Sequence, residues 1–404
     1  MRVAVVVILA GVAALVAYLI GTSPPNVVPP VMPESSLVPE LPPWPVFRFF
    51  VGLNDFLRFL AEKTTPPDIR ALELSNAFWQ SVVVYALVKH GALDALFKEK
   101  EAACGAVAEM THTHPHYMCR FMHAAATLGI LEEPVPGTFR NTEIAEELRT
   151  TSRDRALWLS AMLRDSYVAT AEKSILTGEP GCVEHLGAPW WEWHAEHQVE
   201  SEMFDRAMKD FALRTAAAVV GALPLKGDEV ICDVGGGIGT LLATIWEHWP
   251  STTVKVFDLP ETASRATAYF KHRGVKNASA ISASFFDPLP ADIKTCDIIF
   301  LKNVLHDWAD DECVKIVANI KQSAAPGSRL AVVEAIVGTD GPSFERAKAA
   351  VEAGILSTCP MGAKERTLAE YSDIYRRANV LLGPDDIPTV LKLRELLSVM
   401  MMPL

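Results

Sequence analysis

After Arg2, the chain opens with eighteen successive uncharged positions, Val3 to Ile20. A run of that length is at the lower limit for crossing a bilayer, so residues 1–21 read as a single-pass membrane anchor, with a cleaved signal sequence as the competing reading. Arg2 before the run and Glu34 and Glu40 after it favour a cytoplasmic N-terminus with the body translocated. Prolines crowd residues 22–46, which predicts an extended linker, and residues 22–66 as a whole form a linker and lead-in.

From 67 to 155 the apolar positions recur at helical spacing, as in "ALELSNAFWQSVVVYALVKHGALDALF", with Gly91 as a stop. Two shorter helices follow, near 101–110 and 115–128, and then two short extended runs about a Pro136-Gly137 turn. That order predicts a mostly helical, winged-helix-like domain. Residues 156–214 continue as a helical connector. Beyond 215 the pattern alternates: "EVICDVGG", "TVKVFDLP", "SAISASFFD", "CDIIFLKNV" and "SRLAVVEAIV" are apolar runs separated by helix-length segments. Buried parallel strands have this signature, so residues 215–404 predict a doubly wound, Rossmann-like α/β domain that binds ligands beyond the carboxyl ends of its strands.

Composition narrows the function. With 404 residues, 50% hydrophobic and 21% charged, the chain has ample material for cores. A net charge of -12 and the absence of clustered Lys and Arg in the winged-helix-like segment argue against nucleic acid as a partner. The seven cysteines include no C-x-x-C pair and are odd in number, so they read as mostly reduced core residues. His112, His114 and His116 in "THTHPHY" alternate in a turn without nearby carboxylates or thiols, and are expected to be solvated rather than metal-binding.

The chemistry concentrates at the strand ends. In "ICDVGGGIGTL", Asp233, Gly235, Gly237 and Gly239 occupy every second position, where a tight turn lets a ligand approach the backbone. A dinucleotide fingerprint would need glycine at 240, where Thr240 stands, so NAD is the weaker reading. Asp258 ends the next strand nineteen residues beyond Gly239, placed to accept hydrogen bonds from ribose hydroxyls. His306 and Asp307 leave the end of "CDIIFLKNV" on the same rim, ahead of Asp310, Asp311 and Glu312, which suit the first turn of the following helix. An imidazole there can take a proton from an acceptor hydroxyl, and Glu334 or Glu365 could hold it.

Taken in order, "DVGGGIG", "FDLP", "FFDPLP", "LKNVLHDWADDECVKI", "VVEAIV" and "GAKERT" resemble the S-adenosylmethionine-dependent small-molecule O-methyltransferases of the caffeate, flavonoid, acetylserotonin and polyketide type, over roughly residues 67–404. The resemblance implies a class I methyltransferase domain preceded by a dimerisation domain, a homodimer, a small and aromatic acceptor, and S-adenosylhomocysteine as the second product. It implies His306 as catalytic base flanked by Glu334 and Glu365. It places cofactor contacts at Asp233, Gly235, Gly237, Gly239, Asp258, Leu259, Ser284, Phe285 and Lys302, and acceptor contacts at Trp190, Trp191, Trp193, Met203, Phe204, Met208 and Asp307, with no metal.

One departure stands out. The family pattern has Gly-Asp where this chain has Ala283-Ser284 before Phe285 and Phe286, so a carboxylate near the adenosine is replaced by a hydroxyl. Two other readings remain: methylation of a thioether sulfur of a hydroxy acid, which needs no base, and a silent cofactor-binding dimer. Access to cytosolic cofactor favours a cytosol-facing body, against the flanking charges, so the side of the membrane stays open.

Overall fold

The computed structural model describes residues 44–149, 173–223, 225–339, 342–359, 362–380, 389–392 and 397–403. The expected anchor at 1–21 and most of the proline-dense linker lie outside them. The linker ends earlier than the sequence suggested, because Trp44–Val46 already belong to a helix, Trp44–Thr64. Pro45 sits in its first turn, where a missing N–H leaves no helical hydrogen bond unmade.

Two compact units divide the chain. The first, which we call the helical unit, comprises Pro67–Ala212 and Gly354–Ala363. Its core gathers Leu87, Leu93, Leu96, Val107, Met122, Leu131 and Phe139, all at most 2% exposed. Helices Cys104–Met110 and Pro115–Thr127 pack beside a small sheet of β1 (Ala102–Ala103), β2 (Leu131–Val135) and β3 (Thr138–Asn141), in the order β1-β3-β2. Gly137 takes φ 80° at the β2–β3 turn, a conformation that favours glycine. Gly354–Ala363 groups here rather than with the domain expected at 215–404, and its Ile355, Cys359 and Ala363 form a small buried cluster of their own.

The second unit holds the remaining described residues and is built on a seven-stranded sheet. The strands are β4 (Val230–Val234), β5 (Thr253–Asp258), β6 (Ala278–Ser282), β7 (Ile298–Lys302), β8 (Arg329–Ala335), β9 (Thr389–Lys392) and β10 (Leu397–Pro403), in the order β6-β5-β4-β7-β8-β10-β9. β4 to β8 pair in parallel, and β10 runs antiparallel to β8 and β9. Helices cover both faces, which is why Ile298, Ile299, Phe300 and Leu301 are all fully buried. The register sets Asp258 opposite Ser282 and Lys302 opposite Val333, bringing the carboxyl ends of these strands to one rim.

The cysteines depart from the expectation that most are reduced, since four of the seven are paired. Cys182, Cys313 and Cys359 are free and buried, but Cys104 is bonded to Cys119, and Cys232 to Cys296. Cys232 lies in β4 and Cys296 two residues ahead of β7, so parallel pairing brings together two thiols 64 residues apart, which sequence spacing cannot show.

Candidate active site

Two loops build the rim. The first follows β4, where Gly235, Gly237 and Gly239 all take positive φ, between 57° and 84°. A Cβ on Gly235 would stand 2.9 Å from the Val304 side chain, whereas one on Gly237 would meet nothing within 4 Å, leaving open space above that backbone. Gly236, which the sequence reading passed over, is equally constrained: a Cβ there would lie 2.7 Å from Cγ of Asp233. Asp258 ties the loop to β5, accepting from Gly237 N–H through Oδ2 and from Leu259 N–H through Oδ1, each at 2.8 Å.

Beneath the loop, Asp233 is 2% exposed, and its Oδ1 has no hydrogen-bond partner. Burial pushes its carboxyl up to about 7; Lys302 pulls it down and Asp258 adds to the rise. Lys302 donates to the side chain of Asn303 at 3.2 Å. Ser284 Oγ accepts from Phe286 N–H, while Phe285, Phe286 and Trp308 pack edge to face, with centroids 4.6 to 5.8 Å apart.

The second loop carries His306. The chain leaves β7 at Lys302, reverses through Asn303 at φ 54°, and enters a short 3-10 turn, Leu305–Asp307. Glu334, fully buried in β8, accepts the N–H groups of Val304 (2.9 Å) and Leu305 (2.8 Å) through Oε1. Its Oε2 has no hydrogen-bond partner and lies 3.7 Å from Nδ1 of His306. Glu365 Oε1 is 3.0 Å from the same Nδ1, and Asp307 Oδ1 is 3.5 Å from Nε2. Burial drives the imidazole pKa down, but Glu334, Asp307 and Glu365 outweigh it and raise it to about 10. Burial raises Glu334 to about 7 despite the neighbouring imidazole.

One residue absent from the sequence reading fixes this turn. Arg366 is fully buried and donates to the carbonyl oxygens of Leu305 (2.8 Å) and Trp308 (2.6 Å) and to Asp310 (2.8 Å). Lys364 N–H donates to His306 O at 3.0 Å, so residues 364–366 grip the turn that carries His306. An arginine beside a candidate carboxylate was the available signal, but an isolated arginine in a sequence gives no sign that it will be buried.

The residues expected to contact the acceptor lie in the helical unit, Asp307 excepted. Trp190, Trp191, Trp193, Met203, Phe204 and Met208 are all half-buried. Phe204 meets Trp190 and Trp191 edge on at 6.3 and 5.7 Å, and Trp193 stacks on His197 at 4.0 Å. Trp191 Nε1 is buried without a hydrogen-bond partner. His112, at φ 52°, and His114 belong to the turn ahead of helix Pro115–Thr127.

Comparison with known proteins bears on this geometry. Residues 173–380 match the model of the O-methyltransferase domain, and residues 72–151 match that of the O-methyltransferase dimerisation domain. Phenazine O-methyltransferase PhzM of Lysobacter antibioticus is 25% identical over 315 residues, 77% of this chain and 90% of that protein. Human acetylserotonin O-methyltransferase is 27% identical over 280 residues, 66% and 80% of the two chains. Among solved structures, LaPhzM superposes with a TM-score of 0.77 at 24% identity, covering 84% of this chain and all of that one. Human N-acetylserotonin methyltransferase in complex with S-adenosylmethionine gives 0.73, also at 24% identity, covering 84% and 98%. The dimerisation domain supports a homodimer acting on a small molecule. With its domain model matched over half the length, and a glycine loop and carboxylate-held histidine on one rim of a class I sheet, the chain belongs to the O-methyltransferase family and is an S-adenosylmethionine-dependent enzyme.

Proposed function

We propose that the protein moves a methyl group from S-adenosylmethionine to a hydroxyl of a small aromatic molecule, with His306 as general base. The observation that carries this reading is the 3.0 Å contact between His306 Nδ1 and Glu365. A carboxylate at Nδ1 keeps the proton there and leaves Nε2 as the basic nitrogen, because the hydrogen bond at one ring nitrogen sets the tautomer at the other.

The cofactor residues fit their role. The open space above Gly237, the two lone-pair-bearing oxygens of Asp258 and the partnerless oxygen of Asp233 form a cradle with acceptors for hydroxyl and ammonium donors. Gly235, Gly239, Leu259, Ser284, Phe285 and Lys302 complete it. When bound, the cofactor supplies an electrophilic methyl group on a positively charged sulfur. His306 takes the acceptor's proton at Nε2. Glu365 receives the hydrogen bond from Nδ1–H, and the Glu334 carboxylate stabilises the imidazolium that forms. Fixed positioning and base action account for roughly 7–11 kcal/mol and a factor of about 10²–10⁴ respectively.

An aromatic acceptor is supported by relatives named for phenazine and acetylserotonin, and by the half-buried faces of Trp190, Trp191, Trp193 and Phe204, which with Met203 and Met208 would wall the acceptor site. Exposed Ile69, Leu72, Leu74, Phe78 and Trp79 give the homodimer an apolar surface to bury. The test is methyl transfer from labelled cofactor by the full chain to a panel of phenols and thioether acids, with His306→Ala alongside. Phenol methylation that falls at least about a hundredfold in the variant supports the reading. Turnover of thioether acids alone would assign the activity to sulfur.

A further inference from the structure

Among the eight asparagines of the chain, Asn277 alone opens an Asn-x-Ser/Thr triplet, Asn277-Ala278-Ser279. Such triplets arise by chance, so the sequence by itself decides nothing. Three independent observations change that. Asn277 and Ser279 are both exposed, Asn277 in the turn that follows helix Pro260–Arg273 and Ser279 near the start of β6. The protein carries two disulfides, one in each unit, and disulfides form and persist in oxidising compartments. The uncharged run Val3–Ile20 is preceded by Arg2 and followed by no Lys or Arg before Arg48, an asymmetry that favours translocation of the following body.

We propose that Asn277 is an N-glycan acceptor and that the globular part of the chain matures on the oxidising side of a membrane. The Asn277 backbone is held by register, its carbonyl accepting from Val254 N–H at 3.0 Å while its side chain stays exposed. Its φ of 52° is one that asparagine tolerates better than most residues. Among the described residues β6 is the edge strand of the sheet, and no further strand pairs beside it. Asn277 lies at the amino end of β6, and Ser282 ends that strand beside Asp258, roughly 16 Å away for five extended residues. A glycan there leaves the catalytic rim clear. In the transfer, Nδ2 of Asn277 bonds to the anomeric carbon of a polyprenyl-diphosphate-linked oligosaccharide, the carbon–oxygen bond to phosphate breaks, the polyprenyl diphosphate leaves and Nδ2 loses one proton. As each pair of thiols closes to its disulfide, it passes two electrons and two protons to a disulfide oxidant of the compartment.

The full chain, N-terminal run included, is to be expressed in eukaryotic cells and recovered from membranes. Its mobility is compared with and without peptide N-glycosidase, and linked peptides are mapped without reduction. The expected result is a single mobility step, lost in Ser279→Ala and kept in Ser279→Thr, with Asn277 read as aspartate after enzyme treatment and Cys104–Cys119 and Cys232–Cys296 recovered as linked pairs. Ser279→Ala leaves the Asn277 backbone unchanged, so it separates loss of the acceptor from misfolding, and its methyl transfer should match the parent's. Unmodified Asn277 overturns the glycan site whatever the state of the cysteines. Free thiols at all four positions overturn the oxidising location.

Discussion

Glu365 Oε1 stands 3.0 Å from Nδ1 of His306, a contact between side chains 59 residues apart. It orients a histidine at a strand end, as the proposed general base requires. Replacing Glu365 with Gln keeps the shape and removes the charge. A hydrogen bond to a charged group contributes about 1.5–3 kcal/mol, so kcat should fall on the order of tenfold to a hundredfold. His306→Ala should lose about 10²–10⁴. Titration calorimetry should find the cofactor bound with nearly unchanged affinity in both variants; weaker binding in step with the lost rate would mean that the pair organises the cofactor site instead.

Three carboxylates raise the His306 pKa to about 10, so at neutral pH the imidazole is mostly protonated and the active form grows as pH rises. The profile of kcat/KM against pH should climb from 6 through 9. In Glu334→Gln, with one raising charge gone, the climb should move to lower pH. A limb that stays put would show that another group controls the rate.

Folding stability should carry the opposite slope. The folded protein holds protons on Asp233 and Glu334 up to about 7, and on His306 up to about 10. Unfolded carboxyls titrate near 4 and imidazole near 6.5, that is, about 3.9–4.3 and 6.5 in model peptides. That stabilisation is complete below the unfolded values and is lost as pH rises through 7 and then 10. Thermal unfolding curves should therefore shift down between about pH 4 and 10, and Asp233→Asn should flatten the part below about 7.

Arg366 offers a separate check on the base turn. Arg366→Lys keeps the charge but cannot reach Leu305 O, Trp308 O and Asp310 together. Each buried carbonyl left unpaired costs about 1–3 kcal/mol. Lower Tm together with a kcat loss, at unchanged cofactor affinity, is expected. A variant that melts earlier yet turns over normally would limit Arg366 to stability.

The two neighbouring glycines should respond differently. A methyl on Gly236 drives into Asp233, so Gly236→Ala should weaken both the unliganded fold and cofactor binding. Gly237→Ala adds a methyl to open space at φ 57°, costing about 1–2 kcal/mol in stability, while filling the room above the loop. Its cofactor affinity should drop more than its Tm suggests, which calorimetry beside thermal melting would read.

Local chemistry was legible in the sequence. The alternation of apolar runs and helix-length segments set out a parallel sheet, because strands buried on both faces must be apolar at nearly every position. Asp233 and Asp258 lie at the carboxyl ends of their strands, the glycine loop and His306 follow theirs, and parallel pairing carries strand ends to one rim. The same pattern, with its motifs in order, was enough to recognise the O-methyltransferase family.

What faces His306 was decided by tertiary structure. Glu334 spends one oxygen holding the turn backbone and leaves the other for the imidazole, Glu365 arrives from a loop past β8, and Arg366 is buried only because the carbonyls of Leu305 and Trp308 take its donors. The Cys232–Cys296 bond and the grouping of Gly354–Ala363 with the helical unit have the same origin. Periodicity records which face of an element is buried, not which distant side chain will meet it, and those meetings depend on register, strand order and packing.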